Sequence, residues 1–286
     1  MRRDVIGIEI EIKPRIAASS YLNSAPLIWS FSHGSRRNEV ELIDAVPAWC
    51  ADLMADESVD FALVPVIEYQ RIANAKLVPD VCVGSRERVR SVVLTSRLNN
   101  LTNIKTVALD ESSRTSATLV KIIFKEFLGF EPRWTTTSPD IKQMLSDNDA
   151  ALIIGDPGML FARDHLHIWD MAALWKENTA LGFVFAMWMA RENAGTHIPD
   201  FAAARDEGVA KIEEIVSEYA DQTQLAAEEI RDYLNRNIVF QIDEDLSLGM
   251  QLYFQLAHKH GFISELRPLR FIDAKLLRTE RGSAAR

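Results

Sequence analysis

The sequence predicts an α/β protein built on parallel sheets and ending in helices. Three observations predict it. Strand-like and helix-like segments alternate from Arg15 to about residue 190, and repeated strand–helix units imply parallel strands joined by crossover helices. The run 182–190 is almost wholly apolar, the pattern of a strand buried on both faces. Beyond it only helical spacing is found, and 286 residues suit two domains better than one core.

In chain order, Ile16-Ala17-Ala18 is a short apolar strand ending near Ser20. Pro26 stands where a helix begins, since its missing N–H costs nothing in the first turn. Residues 40–46 read as a strand, and Pro47 opens a helix with Trp49 and Leu53 four residues apart. Residues 61–66 read as a buried strand, 67–73 as a short helix, and 77–83 and 91–96 as strands. A second block opens with a strand at 105–110. The following helix sets Leu119, Ile122, Ile123 and Phe127 on one face and stops at Gly129. Residues 133–137 are a β-branched strand, and Ser138-Pro139 starts a helix with Ile141, Met144 and Leu145 inward. Residues 150–154 form a strand, and Pro157 opens the next helix. In the helical end, Val209, Ile212, Val216 and Tyr219 share a spacing, as do Leu246, Met250, Tyr253 and Ala257 before Gly261.

Composition excludes several functions. A net charge of −9 argues against nucleic acid, which needs a basic footprint, yet allows an anionic ligand held by local N–H groups and arginines. Cys50 and Cys82 have no Cys-x-x-Cys or zinc spacing and read as buried thiols of a reducing compartment. His165/His167 and His258/His260 lack an acid or cysteine cluster to complete a metal site, so no metal is assigned. Dinucleotide, phosphate-loop and Gly-x-Ser-x-Gly motifs are missing, and no cofactor is assigned. At the N-terminus, Glu9 and Glu11 interrupt an apolar signal core and suggest an added edge strand or an extension. No apolar run reaches transmembrane length. A cytoplasmic protein without membrane partners is expected.

The chain is organised around Ser19-Ser20-Tyr21-Leu22-Asn23-Ser24-Ala25-Pro26-Leu27, a strand–turn–helix. Polar side chains and free helix N–H groups gather there at a strand's carboxyl end, where ligands bind in open α/β sheets. Asn23 and Ser24 either bind a ligand or cap the helix. Ser112-Ser113-Arg114-Thr115-Ser116 is a second such turn, whose hydroxyls, N–H groups and guanidinium suit a carboxylate; the alternative is a capped helix with a solvated Arg114. Gly155-Asp156-Pro157-Gly158 is a third, where Gly155 permits close approach of backbone and Asp156 is an N-cap or a base. Glu68 orients substrate, accepts a proton, or stabilises a helix start.

Taken together, Ser-Tyr-Leu-Asn-x-x-Pro-Leu at residues 20–27, Leu63-Val64-Pro65-Val66-Ile67-Glu68-Tyr69, residues 112–116, Leu152-Ile153-Ile154-Gly155-Asp156 and residues 175–186 resemble, in order, the MqnA family. These are the chorismate dehydratases of the futalosine route to menaquinone, and the resemblance spans about residues 15–191. It implies a two-lobed fold like that of type II periplasmic binding proteins, each lobe a mainly parallel sheet flanked by helices, with the C-terminal helices on the first lobe. The expected crossings lie near residues 96–101 and 185–190, giving lobes 1–97 with 187–286, and 98–186. It implies a small dicarboxylate substrate, chorismate, and no cofactor. The family's functional asparagine and serine map onto Asn23 and Ser91. Ser19, Tyr21, Ser112, Ser113, Thr115, Ser116, Gly155, Asp156 and Thr179 are expected at the substrate, with Glu68, Ser85 and Arg114 as further candidates. Two departures stand out: Glu87-Arg88 replaces a usual Gly-Pro, adding charge beside Arg86 and Arg90, and Gly182 replaces a proline, leaving that loop's rigidity in question. The alternatives are the sister enzyme that forms 1,4-dihydroxy-6-naphthoate, and a non-catalytic solute-binding protein.

Overall fold

The computed structural model describes residues 13–194, 197–223 and 225–273. The N-terminal alternation of Ile with Glu lies outside the described residues. Two five-stranded sheets carry the fold. The first has the order β2-β1-β3-β10-β4, from β1 (Arg15–Ala18), β2 (Glu41–Asp44), β3 (Phe61–Pro65), β4 (Lys76–Ser85) and β10 (Phe183–Ala190). The second has the order β7-β6-β8-β5-β9, from β5 (Val92–Ser96), β6 (Thr106–Asp110), β7 (Arg133–Thr137), β8 (Ala150–Ile154) and β9 (His167–Asp170).

Both sheets are mainly parallel, as expected, with four strands running one way and a single strand reversed in each. In the first, β1 runs parallel to β2 and β3, while β10 is antiparallel to β3 and β4. In the second, β6 runs parallel to β7 and β8, while β5 is antiparallel to β8 and β9. The reversed strand in each sheet is the one entered directly from the other sheet. Its central place explains why residues of β5 and β10 are apolar on both faces.

This topology corrects the crossings. Because β5 belongs to the second sheet, the first crossing is residues 86–91, not 96–101. Because β10 lies wholly in the first, the second crossing ends at Gly182. Both are tied down. The N–H groups of Val89 and Arg90 donate to the Asp170 carboxylate at 3.1 and 2.7 Å. The Gly182 N–H donates to Asp245 at 2.9 Å, and its carbonyl accepts from Trp175 Nε1 at 3.1 Å. A Cβ on Gly249 would stand 2.0 Å from that carbonyl, so only glycine lets the helix approach the crossing so closely. The loop with the missing proline is held by contacts instead.

The helices are α1 (Ala25–Ser32), α2 (Pro47–Ala55), α3 (Thr115–Ile122), α4 (Ile141–Asp147), α5 (Gly155–Leu160), α6 (Met171–Thr179), α7 (Phe201–Ala210), α8 (Ile212–Thr223), α9 (Ala227–Asp232) and α10 (Glu244–Lys259). Three details differ from the sequence reading. In α2 the inward face is Cys50, Ala51 and Met54, while Trp49 is 54% exposed. Asp140, not Ser138, caps α4, accepting from Lys142 and Gln143 N–H. Lys211 divides α7 from α8, so Val209 is exposed and Ile212, Ile215 and Val216 face inward. The C-terminal helix α10 packs on β10 and reaches the second lobe, where Tyr253 donates to the Thr115 carbonyl at 2.9 Å. No helix among the described residues is long and apolar enough to cross a membrane.

Candidate functional site

A narrow, partly open cavity of 60 Å³ lies between the two sheets. The first sheet contributes Ser19, Tyr21 and Asn23 after β1, Leu63 and Pro65 of β3, Val83 of β4, and Phe185 and Ala186 of β10. The second contributes Val92, residues 112–116 after β6, Ile154 and Gly155. Three strand-to-helix turns thus meet at the carboxyl ends of β1, β6 and β8, where ligands of open α/β sheets bind. Such a volume holds a few waters, so a larger ligand requires the lobes to part. A wider groove of 790 Å³ lies elsewhere on the second lobe, beside Leu160, Phe161 and His165, and takes only Pro157 from the three turns. Size alone would choose it; converging polar groups choose the cavity between the sheets.

The turn after β1 is clamped from three elements. Ser20 N–H donates to Asp44 at 3.0 Å, the Ser20 carbonyl accepts from the Tyr219 hydroxyl, and Leu22 N–H donates to Asp156 Oδ1 at 2.9 Å. Ser24 occupies the cap position of α1 without capping it; its hydroxyl donates to Asn23 Oδ1 at 3.1 Å. Capping therefore does not account for Asn23 or Ser24. The Asn23 amide keeps its N–H donors available at the cavity wall.

The turn after β6 hangs on Asp110, a buried residue the sequence reading missed. Its carboxylate accepts from Ser112 N–H at 2.9 Å, Ser112 Oγ at 2.6 Å and Ile154 N–H at 3.2 Å. Burial pushes its pKa above the usual carboxylate range, while the Ser112 bonds oppose the rise. The Ser113 hydroxyl is buried at the wall without a protein partner. Thr115 Oγ1 accepts from Ile67 N–H at 3.2 Å, joining the lobes. Arg114 is neither solvated nor free: one arm reaches Glu68 at 3.1 Å and the other Asp52 at 2.6 Å. Burial works against its charge, but the two carboxylates outweigh it and raise the guanidinium above its ordinary value.

At the third turn, Gly155 has φ +64°, and a Cβ there would lie 2.4 Å from the Tyr21 ring. Both the backbone and the ring demand glycine. Asp156 does not cap α5; it crosses to Leu22. Burial pushes its carboxyl up to about 6, offset in part by the Leu22 N–H. Burial likewise raises the Tyr21 phenol, which interacts with the Ser112 side chain.

Five expected residues are not on the wall; one is Asp156, whose carboxylate is turned to Leu22 instead. Ser91 is buried one residue before Val92, accepting from the Tyr233 hydroxyl at 2.7 Å. The Ser85 hydroxyl is buried at the end of β4 without a partner. Thr179 closes α6, donating to the Trp175 carbonyl at 2.8 Å. Glu68 bridges Arg71 at 2.7 Å and Arg114 at 3.1 Å. Of the residues missed, Asp110 is visible as an acid ending an apolar strand. Tyr233, 142 residues from Ser91, carries no local signal.

Two α/β lobes joined by two crossings over a shared cavity define a periplasmic-binding-protein-like fold. Solved structures share this fold: a protein from Archaeoglobus fulgidus at TM-score 0.66 and 16% identity, covering 88% of this chain and 98% of that one, and the alkanesulfonate-binding protein of Xanthomonas axonopodis pv. citri at TM-score 0.64 and 12% identity, covering 92% and 97%. Within that fold, the chain belongs to a family described as menaquinone biosynthesis, whose model matches residues 14–259. It is also similar to the chorismate dehydratase of Thermus thermophilus, 29% identical over 254 residues, covering 82% of this chain and 91% of the relative.

Proposed function

We propose that this protein is a chorismate dehydratase, a hydro-lyase that converts chorismate to 3-[(1-carboxyvinyl)oxy]benzoate. The observation that carries the reading is the chemistry of the wall. It offers amide, hydroxyl and backbone N–H donors for carboxylates, while no His, Lys, Asp or Glu lines it among the described residues. A reaction that needs a strong protein base does not suit such a wall. A substrate that brings its own base does.

Chorismate carries a proton at C3 beside the enolpyruvyl ether and a hydroxyl at C4. Conjugation to the ring carboxylate acidifies the C3 proton. The side-chain carboxylate takes it, negative charge develops on the ring carboxylate, and donors at residues 112–116 stabilise that charge. The C4–O bond then breaks, the hydroxyl leaves with the proton as water, and the ring becomes aromatic without any redox change. Asn23 binds and orients the substrate in a near-attack geometry. Ser91 positions the reacting groups: as it accepts from Tyr233, its own proton remains free to be donated. Ser19, Tyr21, Ser112, Ser113, Thr115, Ser116 and Gly155 hold the ligand. The lobes, residues 13–85 with 183–273 and residues 92–179, part and close about the two crossings. A cytoplasmic site of action belongs to the same proposal, since free Cys50 and Cys82 suit a reducing compartment.

Purified protein incubated with chorismate should release the aromatic product, followed by ultraviolet absorbance and proton NMR. Binding of chorismate without conversion would favour a solute-binding role, and neither binding nor conversion would overturn the reading.

A further inference from the structure

Arg114 is the one cationic residue on the cavity wall among those described, and its charge is already engaged. Its two arms meet different carboxylates. Glu68, with a side chain 5% exposed, sits behind it and is itself paired with Arg71. Asp52 reaches it from α2 with a side chain 60% exposed, at 2.6 Å. These two arginines and two acids sum to no net charge, so as it stands this cluster offers nothing to a dianion. Beside it, the Ser113 hydroxyl is buried without a partner on the same wall. A hydroxyl donor without a partner and a guanidinium arm held by a solvent-accessible acid make one incomplete carboxylate site.

We infer that Asp52 is a stand-in for a substrate carboxylate: on binding, that carboxylate displaces Asp52 from Arg114 and takes the Ser113 hydroxyl, while Glu68 keeps the guanidinium aimed. This deepens the proposed function, on which the identity of the carboxylate rests. The division of labour follows from exposure. Releasing Asp52 into water costs little, because an exposed acid regains its hydration. Releasing Glu68 would leave a buried charge unpaired, so that arm stays fixed. Asp52 and Glu68 lie on the first lobe and Arg114 on the second. A competing account therefore exists, in which Asp52 merely latches the lobes closed. The two accounts predict opposite signs. Removing a competitor tightens ligand binding, whereas removing a latch weakens it.

The test is calorimetric titration of wild type and Asp52→Asn with 3-[(1-carboxyvinyl)oxy]benzoate, with KM for chorismate measured on the same preparations. Asp52→Asn should lower both Kd and KM by about threefold to fivefold, the size of one half-exposed ion-pair partner. Asp56→Asn, at the C-terminal cap of the same helix and not on Arg114, controls for net charge and should leave both unchanged. Unchanged or weaker binding by Asp52→Asn, or equal tightening by Asp56→Asn, would overturn the exchange. A wild type that binds the benzoate without turning over chorismate would instead overturn the functional reading, and the Kd ratio would still judge Asp52.

Discussion

The turn carrying Asn23 and the crossing carrying Ser91 were matched to the same family by similar short motifs, yet the structure treats them differently. Asn23 stands on the cavity wall with its amide donors available, and the backbone beside it is clamped by Asp44, Tyr219 and Asp156. Ser91 stands off the wall, and its hydroxyl accepts from Tyr233. One residue is presented by its own turn. The other is presented by a side chain from the C-terminal helices. A motif therefore locates a residue, while its partner decides what the residue is free to do.

The largest effect should fall on Asn23. Asn23→Asp keeps the shape but replaces donors with a negative charge facing a dianion. The loss should reach several kcal/mol, about a charge-assisted hydrogen bond or more, so turnover should fall at least about a hundredfold. The melting temperature should move little, since Asn23 does not cap α1. A large drop in melting temperature with near-normal turnover per folded molecule would reduce Asn23 to a structural residue.

Ser91 should behave otherwise. Ser91→Ala is expected to lower kcat about a hundredfold, as for a lost transition-state donor. It should also cost about 1–3 kcal/mol of stability, because the buried Tyr233 hydroxyl loses its partner. Adding Tyr233→Phe should return most of that stability without restoring kcat. If thermal melts show the double variant no more stable than Ser91→Ala, the Tyr233 bond does not hold this crossing.

These two sites also mark what the sequence could reveal. The α/β class, the three strand-to-helix turns and the two-faced strand β10 were legible because each rests on local spacing. The crossings were misplaced because nothing local tells β5 to run antiparallel between β8 and β9. Arg114 read as solvated or anion-binding because its partners, Asp52 and Glu68, lie 62 and 46 residues away. Asp156 read as a cap because its acceptor role spans 134 residues. Long-range pairing, rather than propensity, is what the chain did not display.

Asp156 offers a smaller effect with a defined sign. Burial raises it to about 6 from 3.8, so the folded protein retains a proton that the unfolded chain releases. That contribution is complete below about pH 4 and is lost as pH rises through about 6. Above it, the buried charge costs about 1–3 kcal/mol. Asp156→Asn, which still accepts from Leu22, should therefore raise the melting temperature at pH 8 and change it little at pH 4. Equal shifts at both pH values would mean that burial of the charge is not the cause.

The most direct measurement is a crystal structure of the protein with 3-[(1-carboxyvinyl)oxy]benzoate. The account predicts the ligand between the two sheets, in a cavity widened from 60 Å³, with its carboxylates on Asn23 and the turn at residues 112–116. A ligand seated instead in the wider groove beside Leu160 and Phe161, with the inter-sheet cavity unchanged, would contradict it.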